Sequence, residues 1–306
     1  MRIEQAYIAS QLKGMILDEF LPQWNLREYD NPEEPAFFFG FFWDWDEKNK
    51  KIKVGQSVDI DNFLNHKGFK IAHWSGGEFY GEDPPEYSGQ FSHLLKRFRE
   101  KENNRDMNIL AVDKIDVSNL SKFNVPFKTL KIPYFDINIH QPTMLQDKIY
   151  SHIPAGEMIG AEYNSQAREY EPIFERVFKY SKLMETFGKE NFCFPLEWIH
   201  ENSHPPGIEG VIPYFEKSYC NIKPNQLRGE MTAWRLGLMG RKTLTSTKNK
   251  NQVVGPHIIY YTDYEDLKRL VEIESKKIGT IQEDLSNEVR NYFHLSDDWL
   301  YEEYWL

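Results

Sequence analysis

Three stretches of the chain carry residue types and spacings suited to chemistry. In 68–81, GFKIAHWSGGEFYG, an apolar run ends in Trp74, Ser75, Gly76, Gly77 and Glu78. A flexible glycine pair there delivers a carboxylate to a strand end, the edge at which parallel sheets hold their ligands, and Glu78 is a candidate general base. The plain alternative is a tight turn with a solvated glutamate. In 150–169, YSHIPAGEMIGAEYNSQARE, a strand leads into a loop with Gly156 and Gly160, then Ser165 and Arg168 at a helix start. Such a loop can turn backbone N–H groups toward phosphate oxygens while the helix terminus and a guanidinium add positive potential. It lacks the Gly-Lys-Ser/Thr ending of a P-loop and the Gly-x-Gly-x-x-Gly of a dinucleotide turn, so a simple connection is the other reading. In 227–246, LRGEMTAWRLGLMGRKTLTS, a helix ends at Gly240 and feeds a short β-branched strand. A glycine C-cap explains Gly240 and the apolar residues, but not Arg228, Glu230, Thr232 and Arg235 gathered on one short helix.

Other chemistries drop out. The nine histidines show no metal-ligand spacing, and His200 and His204 sit beside Pro205-Pro206 as a loop. No Gly-x-Ser-x-Gly elbow occurs, and the two cysteines, Cys193 and Cys220, read as small buried hydrophobes, excluding a disulfide scaffold and a Cys-rich zinc module. Asp44 and Asp46 in FFWDWDEKNKK read as a polar turn after a strand, with a cleft role for the pair as the alternative, and KNKKIK reads as a solvated edge. No metal site is expected.

These residues need elements to hold them. With 306 residues, 40% hydrophobic and 15% aromatic, the chain has the size of two domains and ample material for a core. Its formal charge of −10 confines any polyanion binding to a local basic patch. No window reaches the ~18 apolar residues of a membrane span and no leader is evident, so a cytoplasmic, soluble protein is expected. Short apolar runs recur at 36–42, 69–74, 108–112, 127–132, 148–153, 191–194, 218–222, 243–246 and 257–261. Runs so short and so rich in aromatic and β-branched residues predict strands covered on both faces. Helical spacing appears in 88–101, 169–184 and 262–277, the last capped by Thr262 or Asp263 with acids in its first turn.

Strands alternating with helices predict an α/β protein with mostly parallel sheets. The polar stretch NIHQPTMLQD marks a boundary, giving an N-terminal Rossmann-like domain over 1–142 and a second over 143–280. The segment 281–306 closes on DDWLYEEYWL, too apolar to stay free, and is expected to dock on the body as a helical tail. Two such domains would face each other across a ligand cleft.

In order, these features resemble the GT-B glycosyltransferases. PAFFFGFFWDWD followed by NHKGFKIAHWSGGE is similar to their N-domain pattern of a Phe-Phe-Gly strand, a helix and a strand ending in an acid. LRGEMTAWRLGLMGRKTLTS followed by HIIYYTDYEDLKRLVE is similar to their C-terminal signature, and the likeness spans 36–306. The resemblance implies a nucleotide-sugar donor, a UDP-sugar first among them, as co-substrate and no permanently bound cofactor. It implies Glu78 as catalytic base, where inverting members including phage DNA glucosyltransferases hold an Asp. It implies Gly156, Gly160, Ser165 and Arg168 on the donor diphosphate, and Arg228, Glu230, Thr232 and Arg235 on ribose and phosphates. His73, Trp74, Gly76, Gly77 and Asp44 become acceptor-side candidates. Arg235 stands where the family usually has a ribose-binding Glu, and the paired-glutamate signature of retaining enzymes is missing, which favours an inverting, metal-independent transfer.

The acceptor stays open among a hydroxylated DNA base, a glycan and a small molecule. A DNA-modifying phage enzyme would need a basic rim, for which Lys96, Arg97, Arg99, Lys101, Arg241, Lys242, Lys248 and Lys250 are candidates, and a flipped base. The competing readings are a non-catalytic nucleotide-sugar or protein-binding protein on the same scaffold, and an epimerase-like enzyme that modifies the sugar nucleotide.

Overall fold

The computed structural model describes residues 1–9, 13–46, 48, 51–53, 55–74, 97, 108–111, 127–151, 182–193, 208–224, 230–247 and 254–305. They form two compact units, Met1–Asp136 with Phe293–Leu306, and Ile137–Tyr292.

The first unit is built on strands β1 (Gln5–Ile8), β2 (Arg27–Glu28), β3 (Ala36–Phe39), β6 (Lys70–Trp74), β7 (Asn108–Ala111) and β8 (Phe127–Thr129). All pair in parallel, in the order β2-β1-β3-β6-β7-β8. The Ala-Phe-Phe-Phe run makes β3 a buried central strand because its rings alternate between two covered faces. Phe37 and Phe39 each lie 5.5 Å from Phe20 of helix α1 (Lys13–Trp24), whereas Phe38 meets Phe63 of helix α2 (Val58–Asn65) at 5.1 Å. Ser57 Oγ caps α2 by accepting the Ile60 N–H at 3.1 Å, and Lys70 Nζ closes its other end on the Phe63 and His66 carbonyls, both at 2.9 Å. The apolar C-terminus docks on this unit. Trp299 sits 5.1 Å from both Trp24 and Phe37, and the Ile3 amide donates to the Leu300 carbonyl at 2.7 Å.

The second unit carries β9 (Lys148–Tyr150), β10 (Phe192–Cys193), β11 (Ser218–Lys223), β12 (Lys242–Ser246) and β13 (Ile258–Tyr261), parallel throughout and ordered β10-β9-β11-β12-β13. One face packs Ile149, Cys220, Ile222 and Leu244 against Leu267, Leu270 and Val271 of helix α5 (Tyr264–Ser275). The other sets Tyr150 and Cys193 against Phe215 of helix α3 (Ile208–Glu216) and Leu236 and Met239 at the end of helix α4 (Glu230–Leu238). Asp263 caps α5, accepting the Asp266 amide at 2.9 Å. Gly240 ends α4 at φ +87°, and the Arg241 amide reaches back to the Leu236 carbonyl at 2.8 Å, the six-to-one bond of a Schellman end. Helix α6 (Glu283–Tyr292) buries Leu285 and Val289 in this unit, and residues 293–306 return to the first.

The fold class is therefore α/β, two Rossmann-like parallel sheets, each wound in the order 2-1-3-4-5 and onward. One local reading is corrected. Asp44–Asp46 is not a turn but strand β4, paired antiparallel with β5 (Lys51–Lys53), because Asp44, Trp45 and Asp46 face Lys53, Ile52 and Lys51 in register.

Candidate functional site

In an open doubly wound sheet, ligands bind outside the carboxyl ends of the strands where the winding order reverses. In the first sheet that point lies between β1 and β3, and in the second between β9 and β11.

At the first, Tyr7 near the end of β1 donates its hydroxyl to Asp59 Oδ1 at 2.7 Å, and the Phe42 amide donates to Asp59 Oδ2 at 2.9 Å. Burial raises the Asp59 carboxyl, and the two donors pull it back; burial together with Asp59 pushes the Tyr7 phenol well up. Asp44 accepts the Val58 amide at 2.9 Å, so it too is spent on the N-terminus of α2. Gly40, at φ +81°, turns the chain just past β3, and its amide reaches the His73 carbonyl at 3.2 Å. His73 lies wholly inside the unit, stacked 4.4 Å on Phe39 with Nε2 3.0 Å from the Tyr134 hydroxyl, and burial drives its pKa down to about 3. It stays neutral.

At the second, the Ser151 hydroxyl follows β9 and donates to the Ile222 carbonyl at 2.8 Å. Lys223 closes β11, only 6% exposed, with its own carbonyl accepting the Thr245 hydroxyl at 2.9 Å. Asn221 Nδ2 donates to Thr243 Oγ1 at 3.0 Å. Arg241, at the opposite, amino edge, is fully buried and donates to the carbonyls of Thr143, Met144, Glu216, Ser218 and Met239. Burial lowers its guanidinium to about 10. It is a clamp that fastens the entry segment of the unit to β11.

Of the residues singled out in the sequence, Ser75, Gly76, Gly77, Glu78, Gly156, Gly160, Ser165, Arg168 and Arg228 lie outside the described residues. Trp74 ends β6, and Glu230 begins α4. Thr232 is half-buried in the first turn of α4, which starts at the carboxyl edge, and Arg235 is buried one turn further on, near His140. Among the basic-rim candidates, Arg241 is excluded by its burial, Lys242 Nζ is held 2.8 Å from the Pro256 carbonyl, and Arg97 pairs with Asp61 at 2.5 Å. Lys96, Arg99, Lys101, Lys248 and Lys250 lie outside the described residues. Sequence reasoning missed Asp59 and Lys223. The signals were present: Asp59 stands two residues after a serine cap, and Lys223 is a lone base closing an apolar run before Pro224.

No family model matches the chain, and no curated protein matches it. Among solved structures it is similar to the sucrose-phosphate synthase of Thermosynechococcus elongatus, with a TM-score of 0.52 and 9% identity over 96% of this chain and 95% of that one. At that identity the likeness is one of fold. The two parallel, doubly wound sheets are those of the GT-B type.

Proposed function

We propose that the protein is a glycosyltransferase that moves a sugar from a nucleotide-sugar donor, a UDP-sugar first among the candidates, to an acceptor hydroxyl. The observation that carries this reading is the pair of parallel doubly wound sheets, matched along nearly the full length of a glycosyltransferase structure. The second unit holds the donor: Gly156, Gly160, Ser165 and Arg168 take the diphosphate after β9, and Arg228, Glu230, Thr232 and Arg235 contribute from the segment after β11. The first unit holds the acceptor beside Trp74, Gly76 and Gly77. Glu78 deprotonates the acceptor hydroxyl, whose oxygen attacks the anomeric carbon as the bond from that carbon to the diphosphate oxygen breaks. The anomeric configuration inverts, the nucleoside diphosphate leaves, and backbone N–H groups, the helix dipole and basic side chains meet its charge without a metal.

Two of the described rim candidates are tied up in hydrogen bonds to carbonyls and a third in an ion pair, which favours a glycan or small-molecule acceptor over a flipped DNA base. The test is turnover of a nucleotide-sugar panel by the wild type and Glu78→Gln. The reading expects slow donor hydrolysis, accelerated by the right acceptor and collapsed in the variant with donor binding kept. Product formed without any acceptor, by isomerisation of the sugar, would show an epimerase instead.

A further inference from the structure

A parallel sheet covered on both faces is ordinarily lined by Val, Ile and Leu on each. The second sheet obeys this toward α5 and departs from it toward α3 and α4. Register sets Tyr150 beside Asn221, Asn221 beside Thr243 and Lys223 beside Thr245, so all five share one face. Tyr150 fixes which face, since it packs on Phe215, Leu236 and Met239. A buried polar stripe of Asn221, Thr243, Lys223 and Thr245 thus climbs under α4 to the carboxyl edge. There Lys223 ends β11 on one side of the switch point and Ser151 follows β9 on the other.

The stripe has polar capacity beyond its internal bonds. Asn221 is 2% exposed, yet its Oδ1 has no hydrogen-bond partner. A buried amide oxygen left this way costs free energy unless a donor reaches it, such as an ammonium drawn inward or a water carried in with a ligand. The Thr245–Lys223 bond also fixes the backbone from which the lysine extends.

We propose that Lys223 is the cation that meets the leaving diphosphate at the switch point of the second sheet. The assignment rests on the donor-binding reading above and adds to it a residue from a strand end rather than from the loops. A compact ammonium suits this task because it contributes charge at the spot where the departing oxygen becomes anionic. Asn221 and the two threonines keep that end of the stripe polar.

The test measures UDP and inorganic pyrophosphate binding by calorimetry to the whole chain as wild type, Lys223→Met and Lys223→Arg. The proposal expects Lys223→Met to bind both ligands roughly 10- to 100-fold more weakly, and Lys223→Arg to recover most of the loss. Undiminished affinity in folded Lys223→Met overturns it while leaving the donor site standing. Pyrophosphate binding that depends on Lys223, with no affinity for any nucleoside diphosphate, keeps the anion site and overturns the glycosyl-transfer reading. Binding of neither ligand overturns both. Should Lys223→Met not fold, a UDP-bound crystal structure of the wild type decides: Nζ within about 3 Å of a diphosphate oxygen supports the proposal, and Nζ turned away from the diphosphate overturns it.

Discussion

The two sheets share a winding order and differ in how they use polar groups. The first has aromatic rings on both faces of its central strand β3, and at its switch point Tyr7, Asp59 and the Phe42 amide satisfy one another while Asp44 holds the start of α2. The second is apolar on one face and carries a buried polar stripe on the other, with an amide oxygen unpaired and a lysine at the edge. Topology therefore indicates where a ligand can sit in each unit but not what it is. In the first, the described polar groups are consumed in holding loops and a helix in place; in the second they lead up to a cation.

The contrast is sharpest in kinetics. Glu78→Gln should lower kcat by about 10²- to 10⁴-fold with nucleotide affinity unchanged, whereas Lys223→Met should lower kcat and UDP affinity together; if both variants moved both parameters alike, the division of labour would fail. Next in size, Arg241→Met should cost about 3–5 kcal/mol in urea unfolding, because five buried carbonyls lose their donor. Burial holds His73, His140 and His257 at about 3. Between that value and the ordinary 6.5 the unfolded chain binds more protons, so stability is full above pH 6.5 and falls as pH drops. Each imidazole contributes up to about 1.4 kcal/mol per pH unit, readable in denaturant melts at pH 7 and pH 5. Asp59 acts in the opposite sense: burial raises its carboxyl, so its penalty grows with rising pH, and Asp59→Asn should remove that opposing slope.

Smaller effects test packing. A methyl group on Gly237 would fall 2.6 Å from the His257 ring, so Gly237→Ala should destabilise the second unit by about 1–3 kcal/mol in a thermal melt. Ser57→Ala should cost about 1 kcal/mol through the lost cap of α2, and hydrogen exchange should show fraying there first.

Much of the fold was legible because short apolar runs and caps are local signals. AFFF, KIAHW, YCNI, TLTS and IIYY became strands where their composition placed them, and Asp263 and Gly240 ended helices as their chemistry requires. Strand β1 was not legible, although it lies at the first switch point. It opens on Gln5, which looks solvent-seeking but is buried with its amide spent on the Asn31 and Glu34 carbonyls and the Asp30 and Asn31 amides. Those partners are 25 to 29 residues away, beyond any local pattern. Lys223 was hidden for a related reason. Its register with Thr245 and the common face with Asn221 come from strand pairing, which no single segment encodes. His73 shows the converse: placed with the acceptor for its position at a strand end, it lies in the core on Phe39.

The central claim is that a nucleoside diphosphate binds at the carboxyl edge of the second sheet. Hydrogen–deuterium exchange of the whole chain with and without saturating UDP tests it most directly. The account predicts slowed exchange in peptides covering Lys148–Ser151 and Asn221–Thr232, with β1 and the Gly40–Trp43 turn of the first unit unchanged. Protection confined to the first unit, or to the amino edge around Arg241, would contradict it.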